Sequence, residues 1–553
     1  MSATLVDTLP IWILLTGAGV LSLGSRTVKS TPAWGPLTLL LILLAGVSLH
    51  SSVSSSLVTT TSNDVSSNEG VTADAMHSWR LVWQSIALAV GFLVVLMTLD
   101  EADADDERTS SASSGVRYAL VACSIAGLCG LACSSTLWGL FAAGRLCFWP
   151  LLLGFRRAEG PSVENPGVSS SGRILSNVFW MKMLASVSRN PSTQAGAHET
   201  GDPVIMLVWR EAWSMVLMLV GLAILAAWTG CTSLSLAELR AFQPEAQQSA
   251  IGGIAGVLLV IVGAGWTIPL HLETLDIAER GNPASSAWLL SVQSLSAVMT
   301  VGTAAVGTSL GRFVPAETML IVFAGWAFVL GSFIVRRQIH LRRWLAALVL
   351  AQSGWWMTSI ALAVAQKNME EFAPVVALMY PHNLSVAPYL MIADLTAILG
   401  FSAICRFVLN GERELTYLDD LRGMLRQQPL AAGLAAVSLL SLLGLPLTAG
   451  FWGRWQIVCG VWSVQLIQPR TGLPAVHGGF VVLAFVAVWS QIVVMQAIWQ
   501  PLRMILFEAP AGRIATKERQ AALSVAILAA FIIVGIGLMP DALLRELRQI
   551  VSL

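Results

Sequence analysis

Three charged side chains stand in stretches otherwise apolar enough to lie in a bilayer: Arg145 in LWGLFAAGRLCFWPLLLGF, Asp394 in YLMIADLTAILGF and Arg454 in GFWGRW. Burying an unpaired charge costs several kcal/mol, so each must find a counter-charge or water, and each marks a polar site by default. Asp394 is the expected partner for the arginines. A carboxylate can take up and release a proton, whereas an arginine, with a pKa above about 12, only holds a fixed charge. The three therefore read either as a structural polar network or as part of a proton path. His271 and His340 add groups that titrate near neutrality. Each flanks an apolar run, and each reads first as a satisfied interfacial residue and second as a relay. Only four lysines (Lys29, Lys182, Lys367, Lys517) occur among 32 basic residues. The cysteines (123, 129, 133, 147, 231, 405 and 459) form no CxxC pair and no Cys/His cluster at zinc spacing, so they read as small packing residues and no metal is expected.

The elements that position these groups follow from composition. Of 553 residues 55% are apolar and 12% charged, and the mean hydropathy is +0.72, so most of the surface must face lipid. The 32 basic and 32 acidic residues cancel, which removes the electrostatic basis for nucleic-acid binding. Apolar runs of roughly 17 to 25 residues, each able to cross a bilayer as a helix, recur about fourteen times. The fold class is thus all-α and polytopic. The twelfth run, 430 to 463, is too long for one straight span and holds Gly444, Pro446, Gly450 and Gly453, which predicts a broken helix.

Most Lys and Arg residues fall in the connections after odd-numbered spans, so those loops are expected in the cytoplasm and both termini outside it. MSATLVDTLP lacks the basic stretch of a secretory signal, and the first run is expected to stay as a span. Residues 51–78, rich in Ser, Thr and Asn, read as a flexible polar connection. The acidic run 100–107 reads as a solvated turn. Within 155–203, the spacing of Ile174, Leu175, Val178, Phe179, Met181, Met183, Leu184 and Val187 predicts a short amphipathic helix at the cytoplasmic interface.

Two segments carry a proline inside an apolar run: GAGWTIPLH, 263–271, with Pro269, and GLPLTAGFWGR, 444–454, with Pro446. They lie five spans apart, so the second would be inverted relative to the first. This predicts two inverted five-helix repeats with discontinuous seventh and twelfth spans. The domains expected are an N-terminal three-helix region at 1–117, a first repeat at 118–308 with a cytoplasmic insertion at 155–203, a second repeat at 309–500, and a C-terminal helix and tail at 501–553.

LDDLRGMLRQQPLAAGLAAVSLLSLLGLPLTAGFWGRW, 418–455, resembles the most recognisable stretch of the antiporter-like membrane subunits of NADH-quinone oxidoreductase (respiratory complex I), especially the subunit N type. RRQIHLRRWLAALVLAQSGW (336–355), GLAILAAWTG (221–230) and IPLHLETLDIAERGNP (268–283) are similar to further parts of that family, and the resemblance covers roughly 118–505 in order. It implies fourteen helices, a multi-pass place in a bacterial inner membrane, other membrane-arm subunits as partners, and proton translocation coupled to quinone reduction. It also implies a glutamate on the fifth span and lysines on the seventh, eighth and twelfth.

At the matching positions this sequence has Arg145, Ala264, Leu295 and Arg454, so by residue chemistry the usual relay is absent. Either the subunit does not pump, or the path runs through His271, His340, Asp394 and internal water; the first is favoured. His271 matches a family histidine, while Asp276, Glu279 and Arg280 read as solvated loop charges. No iron–sulfur pattern, dinucleotide fingerprint or haem motif is present, so NADH and quinone would be used elsewhere in the complex and no cofactor is expected on this chain. Two further readings stay open: a cation/proton antiporter subunit, and a structural membrane-assembly subunit without transport.

Overall fold

The computed structural model describes residues 3–27, 34–60, 68–99, 112–158, 203–242, 250–265, 272–306, 316–370, 385–410, 413–471, 477–510, 514–516 and 520–552. Helices dominate. In chain order they are α1 (Ala3–Thr27), α2 (Trp34–Thr60), α3 (Asn68–Thr98), α4 (Ala112–Cys133), α5 (Leu137–Ala158), α6 (Pro203–Thr229), α7 (Leu236–Ala241), α8 (Ala250–Gly265), α9 (Leu272–Arg280), α10 (Pro283–Val306), α11 (Ala316–Val335), α12 (Leu341–Glu370) and α13 (Val386–Phe407). There follow α14 (Met424–Gln427), α15 (Pro429–Leu443), α16 (Ala449–Thr471), α17 (His477–Leu506), α18 (Gln520–Leu538) and α19 (Pro540–Ser552).

Each expected span falls on a helix, and the twelfth falls on two, α15 and α16. Among the described residues nine helices are long and apolar enough to cross a membrane, and four shorter apolar helices accompany them. Burial sorts the helices by place. The apolar windows of α12, α13 and α10 are 100%, 89% and 83% buried, while those of α6 and α17 are 33% buried. A helix apolar all round and buried all round belongs at the centre of a bundle. On the outer helices, exposed Trp209, Trp213, Val482, Phe485 and Phe531 form an apolar exterior, the surface that lipid or another membrane subunit requires. The chain is an integral multi-pass membrane protein.

Several expectations need correction. Residues 51–60 extend α2 and 68–78 open α3, so the polar stretch is largely helical: once a helix is nucleated, adding Ser or Thr costs only tenths of a kcal/mol each. The expected tail at the C-terminus contains α19, which packs Leu544 and Leu547 inward. A small antiparallel sheet also forms, order β2-β1-β3, from Val408–Asn410 (β1), Arg413–Glu414 (β2) and Ile514–Thr516 (β3). It ties the segment after α13 to the one after α17. The acidic run 100–107 and the amphipathic segment around Ile174 to Val187 lie outside the described residues.

Candidate functional site

α15 ends because Gly444 adopts a left-handed conformation, φ +76°, donating its backbone N–H to Ser441 O at 3.0 Å. Residues 444 to 448 then turn, with Leu447 also at positive φ, 75°, an unusual state for a non-glycine residue. α16 restarts at Ala449. The turn is not uniformly interior: Leu445 and Leu447 are exposed while Thr448 is buried.

A helix C-terminus leaves four carbonyls without intrahelical donors and carries partial negative charge. Here all four are met. Leu440 O accepts from Leu445 N at 3.1 Å, and Leu443 O from Gln491 Nε2 at 2.6 Å. Arg454 reaches Ser441 O at 3.2 Å and Leu442 O at 3.0 Å, and Gln352 Nε2 joins it on Leu442 O at 3.0 Å. The same guanidinium donates to Gly450 O at 2.7 Å, Gln352 Oε1 at 2.7 Å and Asp394 Oδ1 at 3.0 Å. Trp356 Nε1 donates to the other carboxylate oxygen of Asp394 at 2.9 Å. Asp394 is wholly buried and Arg454 is 6% exposed. Five hydrogen bonds and a counter-charge thus offset the cost of burying the cation. Glycine is needed on both sides of the break: a Cβ at Gly450 would lie 2.1 Å from Ser441 O, and one at Gly444 2.9 Å from Arg454 Nη1.

A second ion pair lies in the other half of the chain. Arg145 on α5 meets Glu211 on α6, Nη1 to Oε2 at 2.6 Å, and Glu211 is 1% exposed. Arg145 Nη2 also reaches Ser214 Oγ at 3.4 Å, and that hydroxyl donates to Gly263 O at 2.7 Å. A cavity of about 20 Å³ borders the pair and is lined by Leu140, Gly144, Phe148, Met218, Ala264, Ser296, Ala297 and Thr300 besides Arg145 and Glu211.

His340 sits in the turn before α12. Its Nε2 is 3.2 Å from Glu279 Oε1, its ring centroid is 4.4 Å from that of Tyr417, and a backbone bridge joins the same two residues. Arg343 pairs with Glu279 at 3.0 Å and Asp276 at 2.9 Å. Burial lowers the imidazole's pKa more than Glu279 raises it, and Arg343 and Arg342 push it further down.

Of the two arginines, Arg454 pairs with Asp394 and Arg145 with Glu211. His340 belongs to a separate cluster at the helix ends, where Asp276 and Glu279 lie on the helix α9 and pair with Arg343, Asp276 with a side chain still 47% exposed. Ala264 lines the cavity of the Arg145 pair, and Leu295 is fully buried in α10. Pro446 lies in the turn; Pro269 and His271 fall between α8 and α9, outside the described residues. The reading from sequence missed Glu211, Gln352 and Trp356. A carboxylate beside Arg210 inside the apolar run 205–229 was the available signal for Glu211; the other two carry none, since buried Gln and Trp in a span suit many roles.

Comparison with known proteins matches residues 204–471 to the family described as "NADH:quinone oxidoreductase/Mrp antiporter, TM". An NADH-quinone oxidoreductase subunit N 2 of Roseiflexus castenholzii is 28% identical over 298 residues, 52% of this chain and 55% of that protein. The chain spans about half the length of the curated relatives it matches, from 42% to 55% in three of them. Among solved structures, a chain of respiratory complex I from Thermus thermophilus with bound aureothin covers 98% of this chain and is itself 99% covered, with a TM-score of 0.65 and 19% identity. A chain of the Mrp complex from Dietzia sp. covers 100% of this chain and is 97% covered, with a TM-score of 0.63 and 15% identity. These likenesses establish the fold.

Proposed function

We propose, from the premise that residues 204–471 are a membrane domain of the NADH:quinone oxidoreductase/Mrp antiporter family, that this chain is a subunit N-type membrane-arm subunit of a proton-translocating NADH-quinone oxidoreductase and does not itself relay protons. Its partners are other membrane-arm subunits and the bilayer of a bacterial inner membrane. NADH and quinone react elsewhere in the assembly.

The observation that carries the non-relaying role is Arg454. A relay group must bind and release a proton within each cycle. Arg454 stays protonated at accessible pH and is held by Asp394, Gln352 and three backbone carbonyls. Arg145, likewise permanently charged, occupies the other ion pair. Such groups fix a field and bind helices together but pass nothing on. His340 lies in a different cluster from Asp394, so a path joining these two gains no support from their placement.

The whole complex, reconstituted in vesicles, tests this by protons moved per NADH oxidised. Asp394→Asn combined with His271→Gln is expected to leave that ratio unchanged wherever electron transfer and assembly are intact. A clear loss under those conditions places a relay on these residues. The likeness to the Mrp chain favours a second reading, a cation/proton antiporter subunit, because the fold similarity is nearly equal. The proteins that copurify in mild detergent separate the two.

In this reading the repeats divide at 118–308 and 309–500, and both termini face away from the cytoplasm. Single cysteines in a cysteine-free background, at Ser55 and Leu553 outside and at Ser111 and Gly411 inside, report this orientation through an impermeant label. Reaction at position 411 from outside intact cells would overturn it.

A further inference from the structure

The start of α12 joins two segments that are far apart in sequence. One is the stretch around β2: Leu341 N donates to Thr416 O at 2.8 Å, and Leu418 N to Ile339 O at 2.9 Å. The other is the C-terminal turn of α9, which side chains of the same region hold. Two bridges run from 414–417 across α12 to α9. In the first, the Tyr417 ring packs on His340, whose Nε2 meets Glu279 Oε1. In the second, Arg342 Nη2 meets Glu414 Oε2 at 3.4 Å, while Nη1 donates to Glu279 O at 3.3 Å and to Gly281 O.

Glu279 O is among the last four carbonyls of α9, which lack intrahelical donors and carry partial negative charge. One guanidinium thus caps α9 and pairs with a carboxylate of β2 together, a task its planar fork allows and a single ammonium does not. Arg343 grips the acidic side of the same turn through Asp276 and Glu279. The side chains of His340, Arg342 and Arg343 are each 16% exposed, so salt screens these contacts weakly. β2 pairs with β1, and β1 with β3. An unbroken set of contacts therefore leads from α9 through Arg342 to the sheet. Contiguity by itself is not coupling.

We infer that Arg342 is a positioning residue, a clasp through which the C-terminal turn of α9 and the β2 edge of the sheet open and close together. A displacement of α9 is then passed to the segments that follow α13 and α17, which the sheet joins. Glu414 is the far anchor: without its charge the guanidinium loses the contact that aims it at the α9 carbonyls. This assignment stands whether or not the chain relays protons.

Hydrogen exchange reports such local opening, and Gly281 N–H, bonded to Ile277 O at 3.0 Å, lies in the turn concerned. The full chain purified with its partners is read by mass spectrometry. Glu414→Gln keeps the side chain's shape and lies outside α9, yet it is expected to speed exchange in 275–281 several-fold while 345–365, the buried part of α12, stays unchanged. Arg342→Gln should speed exchange in both 275–281 and 413–416, and Arg342→Lys should recover part of the protection. Unchanged exchange in 275–281 with Glu414→Gln would overturn the clasp, and because the Glu414 side chain is 32% exposed this variant is expected to fold even where Arg342→Gln does not. The inference also fails if Arg342→Gln frees α9 alone and leaves 413–416 as protected as in wild type.

Discussion

Glu211 on α6 and Asp394 on α13 are both buried carboxylates, and each holds an arginine, at 2.6 Å and 3.0 Å. α6 and α13 are the sixth and eleventh spans, one repeat length apart. The arginines come from opposite sides in sequence: Arg145 from the preceding span and Arg454 from the following one.

The first prediction separates charge from packing at the second pair. Arg454→Leu strands the Asp394 carboxylate among apolar groups and should destabilise by about 3–5 kcal/mol. Arg454→Lys keeps the charge but loses the planar fork that reaches several acceptors at once, so it should be intermediate. The double variant Arg454→Leu with Asp394→Leu should recover part of the loss. Thermal unfolding in detergent and yield of assembled complex measure all three; equal assembly of the Leu, Lys and wild-type forms would show the site to be hydrated and uncoupled.

Much of this arrangement is legible in the sequence, for a physical reason. A lipid-facing chain must write each crossing as a long apolar run, so the spans, the break at Gly444 to Gly450 and the anomalous Arg145, Asp394 and Arg454 are visible by contrast. What is not legible depends on contacts between distant spans. Nothing local distinguishes Gln352, whose amide bridges Arg454 and Leu442 O 90 or more residues away. The small sheet depends on pairing between residues 408–410 and 514–516, too short to show a period of its own.

The helix break gives a paired glycine test. Gly450→Ala forces a Cβ to within 2.1 Å of a backbone oxygen, whereas Gly433 in α15 has nothing within 4 Å of the same construction. Gly433→Ala should be neutral or stabilise by up to about 1 kcal/mol through helix propensity. Gly450→Ala should lower the melting temperature sharply. Similar melting of the two variants would mean that the turn between α15 and α16 relaxes freely.

The first ion pair predicts an asymmetry of partners. Glu211→Gln leaves Arg145 a neutral acceptor at the same place, so the loss should be smaller than for Glu211→Leu, which leaves the largely covered cation, among the described residues, with Ser214 and the Phe141 ring, 5.6 Å away. Unfolding midpoints of the two variants, with Arg145→Leu/Glu211→Leu as the closed cycle, give the coupling directly. A coupling near zero would show that the pair contributes no net stability.

The turn before α12 makes the last prediction, on pH. The His340 imidazole is held below its ordinary value, chiefly by burial, with Arg343 and Arg342 outweighing part of what Glu279 contributes. The folded chain therefore prefers the neutral ring, and the unfolded chain binds a proton more readily between the lowered folded value and about 6.5. In that window the unfolded state carries more protons, so stability rises with pH: the contribution is whole above about pH 6.5 and is lost as pH falls through the folded value. His340→Gln cannot titrate and should flatten this part of the stability profile while keeping a donor for Glu279. An unchanged slope below pH 6.5 in the variant would assign the dependence to other groups; a steeper loss in wild type alone assigns it to His340.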